Sequence, residues 1–218
     1  MNSVTAITEK ISAIKARIEK AALRAGRNPE EIKLIAVTKT VDLEKIAEAV
    51  RAGAVILGEN RVQEAQKKVK SYELRVMSEG IEWHLIGHLQ RNKAKQAVQL
   101  FDLIHSIDSA GLAEEVNRQA EKINKVQRVL VEVKLSEEET KHGVSEKNLM
   151  PLLKKINSLK NLKLEGLMTM PPFFDEPERA RPYFRRLRGI MNNINASRVT
   201  HYELWELSMG MSNDFEAA

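Results

Sequence analysis

A lysine at the end of an apolar run is the residue whose type and position most favour covalent chemistry. Lys39 follows the run Leu34–Val37, in the segment Thr38-Lys39-Thr40. An amine at the end of an apolar strand is partly desolvated, which disfavours the ammonium form. The neutral amine attacks carbonyl carbons, so Lys39 is a candidate Schiff-base former. The alternative is an ordinary surface charge, because the chain has 35 lysines and arginines.

A segment of small residues near the end of the chain is a candidate phosphate site. Ser208-Met209-Gly210-Met211-Ser212 follows the last apolar run, and a helix is predicted to begin at Ser212. Free backbone N–H groups at a helix start bind phosphate, and Ser212 is a candidate N-cap. In (β/α)8 barrels, phosphate is often bound by the loops after strands seven and eight, which matches this position. An ordinary capped turn is the alternative.

Three histidines, His84, His88 and His105, lie near predicted strand ends. No acidic residue has metal-ligand spacing to them, so we expect polar or core histidines with satisfied hydrogen bonds and no metal site. Four methionines could line a cofactor ring or could simply pack: Met168, Met170, Met209 and Met211.

The basic residues do not indicate a nucleic-acid partner. Arginines 179, 181, 185, 186 and 188 form a run with little aromatic interleaving, which is typical of a solvated helix face. There is no P-loop and no G-x-G-x-x-G motif, so nucleotide binding is unsupported.

The elements that must position these residues alternate between short apolar runs and longer amphipathic stretches. The seven runs predicted as strands are Leu34–Val37, Val55–Leu57, Ile81–Ile86, Leu103–Ile107, Val129–Val133, Leu164–Met168 and Tyr202–Leu207. The predicted helices between them are Leu43–Ala52, Val62–Val76, Lys93–Leu100, Leu112–Ile123, Leu149–Leu159 and Ala180–Ile194. An extra N-terminal helix has apolar residues at helical spacing from Val4 to Ala21 and ends by Gly26.

This alternation predicts an α/β fold with a parallel sheet in one domain, residues 1–218. A closed (β/α)8 barrel of the TIM type needs eight strands, and only seven runs occur. We therefore expect an open sheet, or a chain cut short before its eighth strand.

Composition narrows the class of protein. The chain has 218 residues, no cysteine and a formal net charge of +5, which suits a small anionic ligand without requiring one. Disulfides and thiolate sites are excluded. No apolar run approaches the ~18 residues of a membrane span, and the N-terminus has no signal-peptide core, so a cytoplasmic location without membrane contact is expected.

Six segments in order resemble the pyridoxal phosphate homeostasis proteins, which are related to the N-terminal barrel domain of alanine racemase. They begin at Ala36, Gly58, Trp83, His105, Gly166 and Leu207, and read AVTKT, GENRVQE, WHLIGHLQRNK, HSID, GLMTM and LSMGMSNDFE. Each string is short, but their combination in this order, from about residue 4 to the end, is highly specific.

The resemblance implies a barrel that binds pyridoxal 5'-phosphate (PLP), with Lys39 holding the aldehyde as an internal aldimine. It implies that Ser208 and the N–H groups around Met209 and Gly210 bind the phosphate, that Ser212 adds to this, and that Asn60 lies near the phenolic side. Such proteins are thought to protect PLP and hand it on, so PLP-dependent apo-enzymes are candidate recipients. We expect a monomer.

The chain departs from the family at its end. Members usually continue through a helix to a final strand with a Val-Arg-Ile-Gly pattern, which supplies an arginine near the pyridine nitrogen. Nothing here matches that strand, which corresponds to the eighth strand missing above. Either the recorded chain is truncated or its site lacks those contacts.

Two other functions stay open. A PLP-dependent racemase needs a second acid/base, usually a tyrosine from another domain, but Tyr72, Tyr183 and Tyr202 do not follow strand ends. A phosphate-binding barrel for sugar phosphates would not need Lys39 for ligand binding.

Overall fold

The computed structural model describes residues 6–71, 80–136, 138, 142–200 and 203–218. Its strands are β1 (Ala36–Val37), β2 (Ile56–Glu59), β3 (Glu82–Leu85), β4 (Leu103–Ile107), β5 (Gln127–Lys134), β6 (Val144–Ser145), β7 (Leu162–Met168) and β8 (Glu206–Ser208). Its helices are α1 (Ala6–Arg24), α2 (Leu43–Arg51), α3 (Val62–Val69), α4 (Ala94–Leu100), α5 (Ala110–Glu121), α6 (Glu146–Asn157) and α7 (Arg181–Ser197). Within the described residues, no helix is long and apolar enough to span a bilayer.

The strands form one curled parallel sheet, a half-barrel, in the order β1-β2-β3-β4-β5-β7-β8. Every strand pair in this path is parallel, and β6 pairs with β5 outside the path. The α/β barrel class predicted from the sequence is confirmed. Among the described residues no strand pairs with the outer edge of β1, so the sheet does not close.

Strand residues alternate between two faces, and the two faces pack differently. The helix-facing side is apolar: Trp83 and Leu85 of β3 and Ile104 of β4 belong to the main hydrophobic core. On the opposite side lies a small cluster of Leu103, Leu130 and Met168. This second face is the inner surface of the curl.

Helix α1 connects the two ends of the sheet path. The Lys15 ammonium donates to the Gly53 carbonyl, just before β2, at 3.2 Å. The Arg17 guanidinium pairs with Glu216, beyond β8, at 3.1 Å, and lies 4.6 Å from the centre of the Phe215 ring. The extra N-terminal helix therefore contacts the regions that flank the open side of the sheet.

The structure differs from the sequence predictions in two places. Strand β6 was missed because two residues make too short an apolar run to recognise. The helix expected from Ser212 is instead a series of turns over residues 212–217. Ser212 was expected to cap this helix. In the structure, the Asp214 carboxylate accepts a hydrogen bond from the backbone N–H of Met211. Val4, Tyr72, Val76 and Tyr202 lie outside the described residues.

Candidate functional site

Lys39 lies in the turn directly after β1, and its side chain is exposed. The desolvation expected from the sequence is therefore not found. The reason is the position of β1: the strand is only two residues long and lies at the open edge, where Val37 is itself 46% exposed. The backbone on both sides of Lys39 is nevertheless held in place.

A buried charged group, which we call the Lys68 cluster, fixes that backbone; it comprises Lys68, Glu59, Glu64 and Thr38. The Lys68 ammonium, on α3, lies 2.7 Å from one carboxylate oxygen of Glu59 and 2.7 Å from one of Glu64. It also donates to the carbonyl of Thr38, the residue before Lys39. The Thr38 hydroxyl donates to Glu59.

The same cluster holds the residue after Lys39. The Glu64 carboxylate accepts the backbone N–H of Thr40, whose φ of 60° is an uncommon left-handed conformation for a threonine. The hydrogen bond from Lys68, together with that from the Thr40 N–H, holds the pKa of Glu64 below its usual value. Both neighbours of Lys39 are thus anchored to a single ion-paired group.

Asn60 follows β2 directly and is half-buried. Its backbone is in close contact with the neighbouring turn: a Cβ added at Gly87 would lie 2.3 Å from the Asn60 carbonyl oxygen. Glycine is therefore required at position 87, in the WHLIGHLQ segment, to let the turn after β3 approach Asn60.

The 208–212 segment presents several hydrogen-bond donors. Among the described residues, the backbone N–H groups of Met209, Gly210 and Ser212 have no hydrogen-bond acceptor. Gly210 has a φ of +87°, and a Cβ there would lie 2.8 Å from that of Ala218, so the turn needs glycine. The Met209 side chain packs against the core.

Ser208 begins a row of hydrogen bonds across the inner face of the sheet, buried at its centre and partly buried at both ends, which we call the histidine chain: Ser208, His105, His84 and Glu82. The Ser208 hydroxyl lies 2.8 Å from His105 Nδ1. His105 Nε2 lies 3.0 Å from His84 Nδ1, and His84 Nε2 lies 3.0 Å from Glu82. Arg128 donates to the same Glu82 oxygen at 3.0 Å and to Glu165 at 3.0 Å.

Electrostatics set the direction of these hydrogen bonds. Hydrogen bonding by His84, and then by Arg128, holds the pKa of Glu82 below its usual value, so Glu82 is an acceptor only. Burial lowers the pKa of His84 and takes that of His105 well below the usual value, so both imidazoles are neutral at pH 7. His84 must then donate Nε2–H to Glu82, and His105 must donate Nε2–H to His84. The Ser208 hydroxyl consequently donates to His105 Nδ1.

The other residues predicted from the sequence have varied surroundings. His84 and His105 are the buried, hydrogen-bonded histidines that we expected. The methionines differ in exposure: Met168 is buried, Met209 is half-buried, and Met170 and Met211 are 40% and 42% exposed. Sequence reasoning missed Glu59, Glu64 and Lys68 as positioning residues. The spacing of Glu64 and Lys68 along α3 was available as a signal, whereas Glu59 is the last residue of β2.

Comparison with known proteins shows the family of the chain. The family model described as "Alanine racemase, N-terminal domain" matches residues 10–218. A pyridoxal phosphate homeostasis protein of Aquifex aeolicus is 45% identical over 210 residues, which cover 96% of this chain and 90% of that protein. The chain belongs to the pyridoxal phosphate homeostasis protein family.

Solved structures place the fold in the same group. PipY of Synechococcus elongatus, solved with PLP bound, is 33% identical with a TM-score of 0.77, covering 94% of this chain and 92% of that one. An alanine racemase of Clostridium difficile is 15% identical with a TM-score of 0.67, covering 88% of this chain and 48% of that one. At this identity, the likeness to the racemase shows the fold alone.

Proposed function

We propose that this protein binds PLP as a Schiff base on Lys39 and carries or buffers it, rather than using it for turnover. The observation that carries the proposal is the set of unpaired N–H groups in the 208–212 segment. They follow β8 at its carboxyl end, the same end of the parallel sheet at which Lys39 follows β1. The family relationship, and the PLP bound to PipY, support it.

The phosphate of PLP fits the 208–212 segment chemically. A phosphate at neutral pH is an acceptor with up to two negative charges, and it needs several donors at once. The N–H groups of Met209, Gly210 and Ser212 supply three donors that make no other hydrogen bond in the described residues. The Ser208 hydroxyl would be a fourth, once it donates to the phosphate and accepts from His105 instead.

Lys39 would supply the covalent link. Its amine adds to the aldehyde carbon of PLP and water leaves, so the link needs no other reagent. Because the Lys68 cluster anchors Thr38 and Thr40, the Lys39 backbone is held in one conformation before the ligand arrives. Asn60, at the end of the adjacent strand β2, would face the phenolic side of the ring.

The position of Tyr183 favours the carrier role over racemisation, because a racemase needs a tyrosine or another acid/base at the site. Tyr183 is on α7, packed 5.9 Å from the ring of Phe174, and does not follow a strand. Tyr72 and Tyr202 lie outside the described residues. A carrier needs only reversible binding, with PLP-dependent apo-enzymes as its recipients, and we expect it to act as a monomer.

The test is an absorption spectrum of the purified protein mixed with PLP. A Schiff-base band in the visible or near-ultraviolet should appear with the unaltered chain and be absent in Lys39→Ala. The matched control is Lys95→Ala, which removes an exposed lysine on α4 and should leave the band unchanged. Retention of the band in folded Lys39→Ala would refute the assignment of the lysine.

A further inference from the structure

A second group of ligand-type side chains lies at the carboxyl ends of the central strands, outside the features assigned to PLP. It consists of His88 in the turn after β3, Asp108 directly after β4, and His142 between β5 and β6. We call it the 88/108/142 cluster. His88 Nδ1 lies 3.5 Å from Asp108 Oδ2, and the His88 and His142 rings are stacked with centroids 3.8 Å apart. One potential ligand atom from each residue lies within 4.8 Å of the others.

Neither the core nor the proposed PLP site accounts for this cluster. The His88 side chain is 34% exposed and that of Asp108 is 18% exposed, so burial does not force them together. The histidine chain uses the other two described histidines, His84 and His105. An ordinary His–Asp ion pair would explain His88 and Asp108, but it gives no reason for a second imidazole beside them.

The cluster borders a cavity of about 520 Å³, lined by residues of the turns after β3 and β4 and by Gly143. A cavity beside three donors leaves room for water or another small ligand to complete a coordination shell.

We propose that the 88/108/142 cluster binds a divalent first-row transition-metal ion of the Zn²⁺ type. Two imidazoles and one carboxylate are borderline ligands, which suit Zn²⁺, Co²⁺ and Ni²⁺ better than Mg²⁺ or Ca²⁺. Ligand distances near 2.0–2.2 Å require the donor atoms to move closer than they lie now. The exposed rings can make that movement by side-chain rotation.

The sequence alone could not show the 88/108/142 cluster. A metal site was not expected because no acidic residue has ligand spacing to the histidines along the chain. The parallel sheet supplies the missing proximity, because neighbouring strands end side by side.

The test uses the untagged full chain, freed of metal with a chelator and kept without PLP. Zn²⁺ is titrated by calorimetry and Co²⁺ by visible absorption. We expect one saturable site per chain. His88→Gln and His142→Gln should each weaken binding at least tenfold, since loss of even an outer-shell partner costs about 10–100-fold.

Two controls separate this site from the PLP site and from the local turn. Asn92→Ala changes an exposed residue four positions after His88 and should bind Zn²⁺ unchanged. Lys39→Ala should also bind Zn²⁺ unchanged, whatever its effect on PLP. The proposal is overturned if folded His88→Gln and His142→Gln bind as tightly as the unaltered chain, or if no saturable binding occurs below about 1 mM.

Discussion

The hydroxyl of Ser208 has two possible acceptors, and its choice between them determines how it can bind phosphate. With both imidazoles neutral it donates to His105, as the geometry of the histidine chain requires. To donate to a phosphate it must accept from His105 Nδ1–H instead. The hydrogen bonds between Ser208 and His105 and between His105 and His84 then both reverse. His84 must consequently carry a proton on both nitrogens, because its Nε2–H still donates to Glu82. Anion binding through Ser208 is therefore coupled to proton uptake.

At the residue scale, Ser208→Ala should weaken PLP binding by roughly 1–3 kcal/mol, the range for losing a hydrogen bond to a charged group. The Schiff-base band should still form at saturating PLP, because Lys39 is unchanged. Equilibrium titration of the band measures the effect. Equal affinities of Ser208→Ala and the unaltered chain would place the phosphate elsewhere.

A second prediction at this scale concerns pH. Sulfate mimics a phosphate dianion but does not titrate between pH 6 and 8, so any change in its affinity belongs to the protein. Because binding takes up a proton at His84, whose pKa burial lowers, sulfate affinity should fall as pH rises, by at most about tenfold per pH unit for one proton.

Calorimetric titration with sulfate at several pH values measures that slope. The groups facing His84 are Glu82, His105 and, at longer range, Arg128 and Asp102. Ser208→Ala is the control, and it should abolish most of the pH dependence. A flat profile for the unaltered chain, with sulfate still bound, would mean that the histidine chain does not reverse.

At the scale of elements, the Lys68 cluster joins β1, β2 and α3 around Lys39. Glu64→Gln removes the carboxylate that bridges Thr40 and Lys68, so we expect the free energy of unfolding to fall by about 1.5–3 kcal/mol. PLP affinity should fall as well, because the turn that carries Lys39 loses an anchor. Glu121→Gln, on the exposed end of α5, is the matched control and should have little effect.

The sign of the accompanying pH effect follows from Glu64. Its pKa is lowered in the folded state, so its stabilising contribution is present above the usual carboxyl range and is lost as pH falls through the folded-state value. Chemical denaturation at neutral and acidic pH measures the free energy of unfolding. Between the two pH values, this free energy should fall less in Glu64→Gln than in the unaltered chain. An equal loss would assign the acid sensitivity to other carboxylates.

Strands and helices with a long hydrophobic pattern could be predicted from the sequence. Short elements that depend on local hydrogen bonds were missed. Strand β4 has the bounds expected, Leu103–Ile107, because a buried five-residue run between helices is unambiguous. Strand β6 and the turns after Ser212 depend on pairing with β5 and on the Asp214 carboxylate, neither of which leaves a periodic signal. The desolvation expected of Lys39 fails because sequence does not show that β1 is an edge.

For the whole molecule, the parallel order of strands brings distant segments to one end of the sheet. Sequence reasoning placed Lys39 and the 208–212 segment at strand ends, which the topology confirms. It could not find the histidine chain, since Ser208 and His105 meet only when β8 and β4 curve toward each other. The roles of these residues in PLP binding remain predictions.

The central claim is that Lys39 forms the covalent link to PLP. The most direct measurement is reduction of the protein–PLP mixture with borohydride, followed by proteolysis and mass spectrometry of the peptides. Lys39 should carry the reduced pyridoxyl phosphate group in nearly every labelled chain, while exposed lysines such as Lys95 remain unlabelled. Label spread over many lysines, or concentrated on a lysine other than Lys39, would contradict the account.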